Sequence, residues 1–291
     1  MKKAFLFNDC SHCHCGSKQV TENLKELLTL CRYNVISTQR TPRFEDEIQP
    51  ETKEAILNCD LMVINGEGTM HDNQVAMRRI MRTASWAKEQ GKKVILVNSL
   101  WNRNETSEFG PDIFDKIYVR DLKSAEEIRR DYRVKVEVLP DIALATRFKF
   151  GEKLKRDVDI LFESGFYNRE LKAKLVEENP WLKETKHCDI MAWGAFPAFC
   201  RQIAKAKLVI TQRFHTTIAC ILTRTPFVSF EGNTPKIKGL MDMAAADIPI
   251  GHNTEGFQNM LLVAKDNPRQ YRKVFDYYSQ FTLAKYKQIL R

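Results

Sequence analysis

Short, continuous apolar runs recur along the first half of the chain, at residues 4–7, 35–36, 61–64, 94–97, 117–119 and 136–139. Between them lie longer stretches in which apolar residues return every three or four positions. In the first of these, Val20, Leu24, Leu27, Leu28 and Cys31 make one apolar stripe, which predicts a helix over 18–31. Residues 51–58 and 74–88 follow the same pattern. Because the strand-like runs are continuous rather than alternating, they are expected to be buried on both faces, as in a parallel sheet covered by helices. Residues 1–146 therefore predict one doubly wound, Rossmann-like α/β domain. A polar, basic stretch without period at 147–157 predicts a linker. A second, smaller α/β series follows, with strands at 158–162, 208–211 and 227–230 and helices at 169–178, 198–207 and 236–245, which together predict a second domain over 147–255. Residues 256–291 are helical by composition and are expected to pack across the domains, with Pro268 placed to begin the final helix.

The most informative stretch runs from Leu208 to Leu222. A β-branched apolar run stops at Thr211, Gln212 and Arg213 follow, and helical spacing resumes at Ile218, Ile221 and Leu222. This reads as strand, tight turn and helix. In an open α/β sheet such a turn sits at the carboxyl end of a strand, where ligands bind, and the free N–H groups of the helix add partial positive charge. Arg213 and His215 are thus expected to face something anionic.

With 291 residues and 43% hydrophobic content, the chain can bury a sizeable core. No apolar run approaches the roughly 18 residues of a membrane span. The Met1-Lys2-Lys3 start leads into only four apolar residues, which fits a first strand better than a signal core. Eight cysteines accompany no secretion signal, and five of them (Cys31, Cys59, Cys188, Cys200 and Cys220) fall singly in predicted elements, so a reducing cytoplasm is the expected setting. The formal net charge of +9 favours an anionic partner. Its denser patches are Arg78, Arg79 and Arg82; Arg129, Arg130, Arg133 and Lys135; residues 149–156; and Arg201, Lys205 and Lys207. The commoner use of any one such patch is a solvated helix face.

Four further loops carry candidate chemistry. Residues 8–17 hold Asp9, three cysteines, His12, His14 and Gly16. The cysteine–histidine density invites a zinc reading, yet no second ligand pair of matching spacing exists, so no metal is expected. The other reading is a ligand-facing turn in which His14 and Gly16 precede a helix. Residues 65–73 pair Gly66 and Gly68 with Glu67, His71 and Asp72. This is either a proton-transfer loop, with the glycines admitting a ligand, or a tight turn in which Asp72 or Asn73 caps a helix. Tyr118-Val119-Arg120-Asp121 ends a strand, and a structural ion pair is its commoner use. Residues 230–236 bring Glu231, Asn233 and Lys236 to a helix start, where Lys236 suits a phosphate or carboxylate. The Asp157-Val158-Asp159 spacing is that of a metal-binding DxD motif but begins a predicted strand, and is read as chance.

Taken together, Thr211-Gln212-Arg213-Phe214-His215, Thr225-Pro226-Phe227 and Lys236-Ile237-Lys238-Gly239-Leu240 resemble the C-terminal signature of the polysaccharide pyruvyl transferase family. Val63-Ile64-Asn65-Gly66-Glu67-Gly68, Tyr118-Val119-Arg120-Asp121 with Ser124, and Leu139-Pro140-Asp141-Ile142-Ala143-Leu144 are similar to its other motifs. The resemblance implies a GT-B-like architecture, two Rossmann-type domains facing a central cleft. It also implies transfer of a pyruvyl group from phosphoenolpyruvate to a sugar, with Arg213 and His215 on the donor and Arg120 and Lys236 as further donor contacts. Acid–base work then falls to His215, Glu67, His71 or Asp9. The expected partners are an anionic small-molecule donor and a glycan acceptor, with no cofactor beyond the donor. An alternative in the same fold is a nucleotide-sugar glycosyltransferase acting on an anionic polymer such as hydroxymethylated viral DNA, for which the +9 charge speaks. A non-catalytic binding protein is the third reading, against which the acid–base candidates argue.

Overall fold

The computed structural model describes residues 1–42, 47–104, 110–147 and 155–290, with side chains to residue 288. Most of the expected linker and of the basic patch at 149–156 lies outside the described residues. Whereas the sequence pattern groups residues as 1–146, 147–255 and 256–291, contacts divide the chain into one unit of Met1–Cys10, Thr21–Ile142 and Leu283–Arg291 and another of Ser11–Val20 and Ala143–Thr282.

The first unit contains β1 (Lys2–Phe7), most of α1 (Cys15–Leu30), β2 (Tyr33–Gln39), α2 (Pro50–Asn58), β3 (Leu61–Glu67), α3 (Val75–Glu89), β4 (Lys93–Ser99), β5 (Lys116–Val119), α4 (Leu122–Tyr132) and β6 (Glu137–Val138). Its six strands are all parallel, in the order β2-β1-β3-β4-β5-β6. Alternate strand residues Phe5, Phe7, Met62, Ile64, Val94, Leu96, Ile117 and Val119 meet the apolar stripes of α2, α3 and α4 in one core. The strand order reverses between β1 and β3, which makes their carboxyl ends a switch point.

The second unit contains β7 (Val158–Glu163), α5 (Arg169–Glu178), β8 (Lys186–Cys188), α6 (Phe196–Ala204), β9 (Ala206–Thr211), α7 (Phe214–Thr223), β10 (Phe227–Phe230), α8 (Lys236–Met243), β11 (Ile250–Gly251), α9 (Phe257–Asp266) and α10 (Pro268–Ser279). The strand order is β11-β10-β9-β7-β8, again all parallel, with the reversal between β7 and β9. The last helix, α11 (Leu283–Leu290), belongs to the first unit, where the Tyr286 hydroxyl donates to the carbonyls of Pro140 and Asp141 at 2.9 and 3.0 Å.

Three expectations shift. Pro268 begins α10, not the final helix, because the chain turns again after Ser279. α6 starts two residues earlier than its apolar period suggested, with Pro197 in its first turn, where a missing N–H is harmless. α1 begins at Cys15 because the His14 imidazole accepts the Ser17 N–H at 3.2 Å and so caps the first turn. β8 and β11 were not predicted. Lys186-His187-Cys188 has no apolar run to betray a strand, and β11 is two residues long.

Candidate functional site

At the switch point of the second unit, β7 and β9 end side by side on Glu163 and Thr211, and the Thr211 hydroxyl donates to the Glu163 carboxylate in a short bond. The buried carboxylate also accepts the Thr216 hydroxyl of α7 at 3.0 Å and the Ile190 N–H at 3.3 Å. Burial pushes its pKa up to about 7, against the pull of these bonds and of the Arg213 charge. Gln212 ties the neighbouring loops together. Its Oε1 accepts the Asn168 N–H at 2.9 Å, and its Nε2 donates to the Glu231 carbonyl at 2.7 Å.

On this base Arg213 takes an extended conformation (φ −97°, ψ 126°) and α7 starts directly after it. Its Nε donates to the Gly165 carbonyl in a short bond, and its guanidinium carbon lies 3.9 Å from the centroid of the Tyr167 ring. The two terminal nitrogens have no hydrogen-bond partner among the described residues. A guanidinium held by its plane and its Nε while its fork stays open is a preorganised receptor for a bidentate anion. A second cation is close by, since the Lys236 Nζ sits 5.4 Å from the Tyr167 centroid and 6.0 Å from that of Phe214, and donates to Asn233 Oδ1 at 3.3 Å. Tyr167 is half exposed and was missed by the sequence reading. It follows β7 in a loop of ordinary composition, and only the fold brings it under Arg213.

His215, the second residue of α7, is buried, with its ring 5.0 Å from that of His14 in an edge-on arrangement. Gly16 makes this possible. A Cβ there would lie 2.5 Å from the His215 Cβ, so any side chain would displace the imidazole. Glu231, expected on the donor side, spends its carboxylate on the start of α8, accepting the N–H groups of Ile237 and Lys238 at 3.2 and 2.6 Å. Burial raises its pKa while those two bonds oppose the rise. Cys15, from the cysteine-rich loop, donates its thiol to the Ile190 carbonyl, and burial pushes it up to about 12, which disfavours a thiolate ligand at that position.

In the first unit, three asparagines bind the strand ends to each other. Asn8 Nδ2 donates to the Asn65 carbonyl at 2.6 Å, Asn98 Nδ2 donates to Asn65 Oδ1 at 3.3 Å, and Asn98 Oδ1 accepts the Ile142 N–H at 2.9 Å. Asn8, Glu67, Asp72, Asn73 and Asn98 all have positive φ, between 39° and 62°. Such conformations concentrate at functional sites because the surrounding structure has to enforce them. Glu67 is buried and receives Asn65 Nδ2 at 3.4 Å. His71 Nδ1 is 2.6 Å from Asp72, and Arg103 forks onto the same carboxylate at 2.6 and 2.9 Å. Arg103 first and His71 second hold the Asp72 carboxyl down to about 2. Asp9 accepts the Thr21 hydroxyl at 2.7 Å.

The glycine pair divides in role. A Cβ on Gly66 would fall 2.2 Å from the Ser99 Oγ, so the backbone that approaches closely there is the next strand, not a ligand. Gly68 would meet only Arg120, at 3.7 Å. Arg120, expected on the donor, is buried and pairs with the buried Asp141 at 3.1 Å. Asp121 caps α4 through the Ser124 N–H at 2.8 Å. The structure therefore gathers Arg213, His215, Lys236, Asn233, His14 and Gly16 in the second unit, and Asp9, Gly66, Glu67, Gly68, His71 and Arg120 in the first.

Several basic patches are used internally. Arg129 donates to the Val136 carbonyl at 2.8 Å, and Arg130 forks onto Asp131 at 2.6 and 2.8 Å. Arg156 donates to the carbonyls of Ala206, Thr223 and Arg224, holding the end of α7. Asp159 of the DxD spacing pairs with Lys207. Among the described residues no helix is long and apolar enough to cross a membrane.

Comparison with solved structures identifies the architecture. The chain is similar to the S. aureus MnaA–UDP co-structure (TM-score 0.59, 12% identity, covering 95% of this chain and 91% of that one). It is similar to Acinetobacter baumannii MurG (TM-score 0.55, 10% identity, 99% of each chain). It also resembles an α-glucosyltransferase in complex with UDP and a 13-mer DNA containing an HMU base (TM-score 0.50, 10% identity, 99% of this chain and 98% of that one). At such identities the likeness shows the fold alone, which is GT-B-like. No curated protein sequence matches the chain. The family model for polysaccharide pyruvyl transferase matches residues 18–234, more than half of the 291. The chain, a transferase, belongs to the polysaccharide pyruvyl transferase family.

Proposed function

We propose that the protein transfers the pyruvyl group of phosphoenolpyruvate to a pair of neighbouring hydroxyls on a glycan or its precursor, with the donor held at Arg213. The observation that carries this reading is the open fork of Arg213, fixed by Gly165 and Tyr167, with the Lys236 ammonium beside the same ring. Phosphate and carboxylate each present the two-oxygen edge that such a fork takes, and a second cation suits a donor bearing both.

In this scheme one sugar hydroxyl adds to C2 of the donor and its proton is delivered to C3, which becomes a methyl group. A second hydroxyl then replaces the phosphate at C2, and its proton leaves with the phosphate. We assign these proton transfers to His215, which is adjacent in α7 to the anion receptor. Glu67, His71 and Asp9 are the acid–base candidates for the acceptor side. The reaction as written needs no cofactor, and it suits the cytoplasm, where the donor is made available.

A second reading, glycosyl transfer from a nucleotide sugar to an anionic polymer, draws on the +9 charge and on the UDP- and DNA-bound neighbour. Arg129 weighs against it, since its guanidinium is already engaged by the Val136 carbonyl. A thermal-shift series with phosphoenolpyruvate and with UDP, CMP and GDP sugars separates the two, because a ligand of the native state raises Tm by mass action. Stabilisation by phosphoenolpyruvate alone is expected. Stabilisation by a nucleotide sugar alone, with duplex DNA binding that weakens steeply as salt rises, would reverse the assignment.

A further inference from the structure

The two faces of the first unit's sheet are covered unequally. α2, α3 and α4 lie on one face. The other carries residues 21–30 of α1 and the α11 helix, because only β2 lies on that side of the switch point and a single crossover helix is wound there. The part left open is a cavity of about 440 Å³ at the amino ends of β3, β4 and β5, the opposite end of β3 from Glu67. That volume falls in the range of roughly 300–1,000 Å³ typical of small-molecule sites.

Its lining is of two kinds. Leu27 and Leu28 from the last turns of α1, with Leu61 and Ile95 from the sheet, supply an apolar wall, and Leu30 remains 38% exposed at its edge. Arg32, Lys93 and Lys116 supply three positive charges and no acidic residue lines the cavity. The side chains of Arg32 and Lys93 make no hydrogen bond or ion pair within hydrogen-bonding reach among the described residues. A second copy of the chain would bring the same cations against these, so self-association through this surface is opposed by charge. An apolar wall beside a cluster of cations, with no acidic residue in the lining, instead complements a molecule with an alkyl chain and an anionic head.

We propose that this cavity binds a single-chain anionic amphiphile as a monomer, the chain against Leu27, Leu28, Leu61 and Ile95 and a phosphate or carboxylate head against Arg32, Lys93 and Lys116. The site is separate from the Arg213 receptor and does not depend on the identity of the donor.

Isothermal titration of the full-length protein with hexyl, octyl and decyl phosphate, each below its micelle concentration, tests it. Saturable one-to-one binding is expected, tightening about fourfold per methylene, the equivalent of roughly 0.8 kcal/mol for each CH₂ buried. Decanoate should bind in the same site, and decanol at least tenfold more weakly. Arg32→Gln/Lys93→Gln, which alters only exposed side chains and sets no new negative charge against Asp115, should weaken decyl phosphate at least tenfold with Tm unchanged. Absence of monomer binding, a flat dependence on chain length, or indifference to the double variant would each overturn the proposal. So would attachment to phosphatidylglycerol vesicles without binding of any monomer, which would make the patch a membrane-docking surface instead.

Discussion

Arg120 and Arg213 sit in the same local setting, one in each unit, although β9 borders its sheet's switch point and β5 lies two strands from the other. Each follows a parallel strand and precedes a helix, β5 and α4 for the first, β9 and α7 for the second. Their fates differ because of what lies beneath them. Arg120 is buried against Asp141, a carboxylate with no exposed surface, so its charge is committed to holding the chain where the 3₁₀ turn Ile142–Ala145 begins. The guanidinium of Arg213 lies on an aromatic ring instead, while Glu163, a carboxylate that feels its charge, is engaged by two threonine hydroxyls. The same residue type between a strand and a helix is a structural strut in one unit and an open hydrogen-bonding fork in the other. A neighbouring carboxylate consumes a cation, whereas a neighbouring aromatic ring positions it and leaves its hydrogen-bonding edge available.

The sharpest way to break this comparison is to remove the strut. Arg120→Ala should destabilise the protein by about 3–5 kcal/mol, since it leaves Asp141 buried and unpaired, and Arg120→Met/Asp141→Leu should recover most of the loss; chemical denaturation measures both. If Arg120→Ala instead leaves stability intact and abolishes only transfer, the two arginines have the same role.

Removing the receptor should do the reverse. Arg213→Ala is expected to lower kcat/KM by about a hundred- to a thousandfold, the cost of a preorganised donor facing developing charge, with Tm unchanged and donor-induced stabilisation lost. Arg213→Lys should be nearly as poor, because an ammonium cannot reproduce the fork. A lysine variant with normal activity would show that the fork geometry is not used.

Glu163 offers a pH test of the base on which Arg213 stands. Its folded pKa, raised to about 7, exceeds the ordinary carboxylate value, so between roughly pH 4.5 and 7 the folded state binds the extra proton. Wild-type stability should therefore fall across that window relative to Glu163→Gln, by about 1.4 kcal/mol per pH unit at most, and the difference should be flat above it. Parallel stability curves for the two proteins would show that Glu163 is ionised throughout.

The smallest effect expected is at Tyr167. Replacing it with Leu should weaken donor binding by about 0.5–2 kcal/mol, the worth of a cation–π contact, and Phe should restore it. Loss that Phe does not rescue would assign the role to the hydroxyl and not to the ring.

Much of this was legible in the chain. The strands at 4–7, 61–64, 94–97, 158–162 and 208–211 announced themselves because strands covered on both faces must be apolar at every position. Arg213 and His215 were legible because a strand that ends in polar residues directly before a helix has few other geometries to adopt. Gly16 was visible as a glycine before a helix, but its reason, the His215 ring packed against it, was not.

The sequence by itself thus determined the periodicities, and through them two parallel sheets and the turns at their carboxyl ends, because burial and backbone hydrogen bonding act locally along each element. Only the tertiary structure decided which charges are spent and which are open. Asp141 reaches Arg120 across 21 residues, Tyr167 reaches Arg213 from another loop, and Glu163 gathers Thr211 of β9 and Thr216 of α7 from 48 and 53 residues away. Such pairings depend on which strand lies beside which, and no local pattern of apolar and polar positions encodes that.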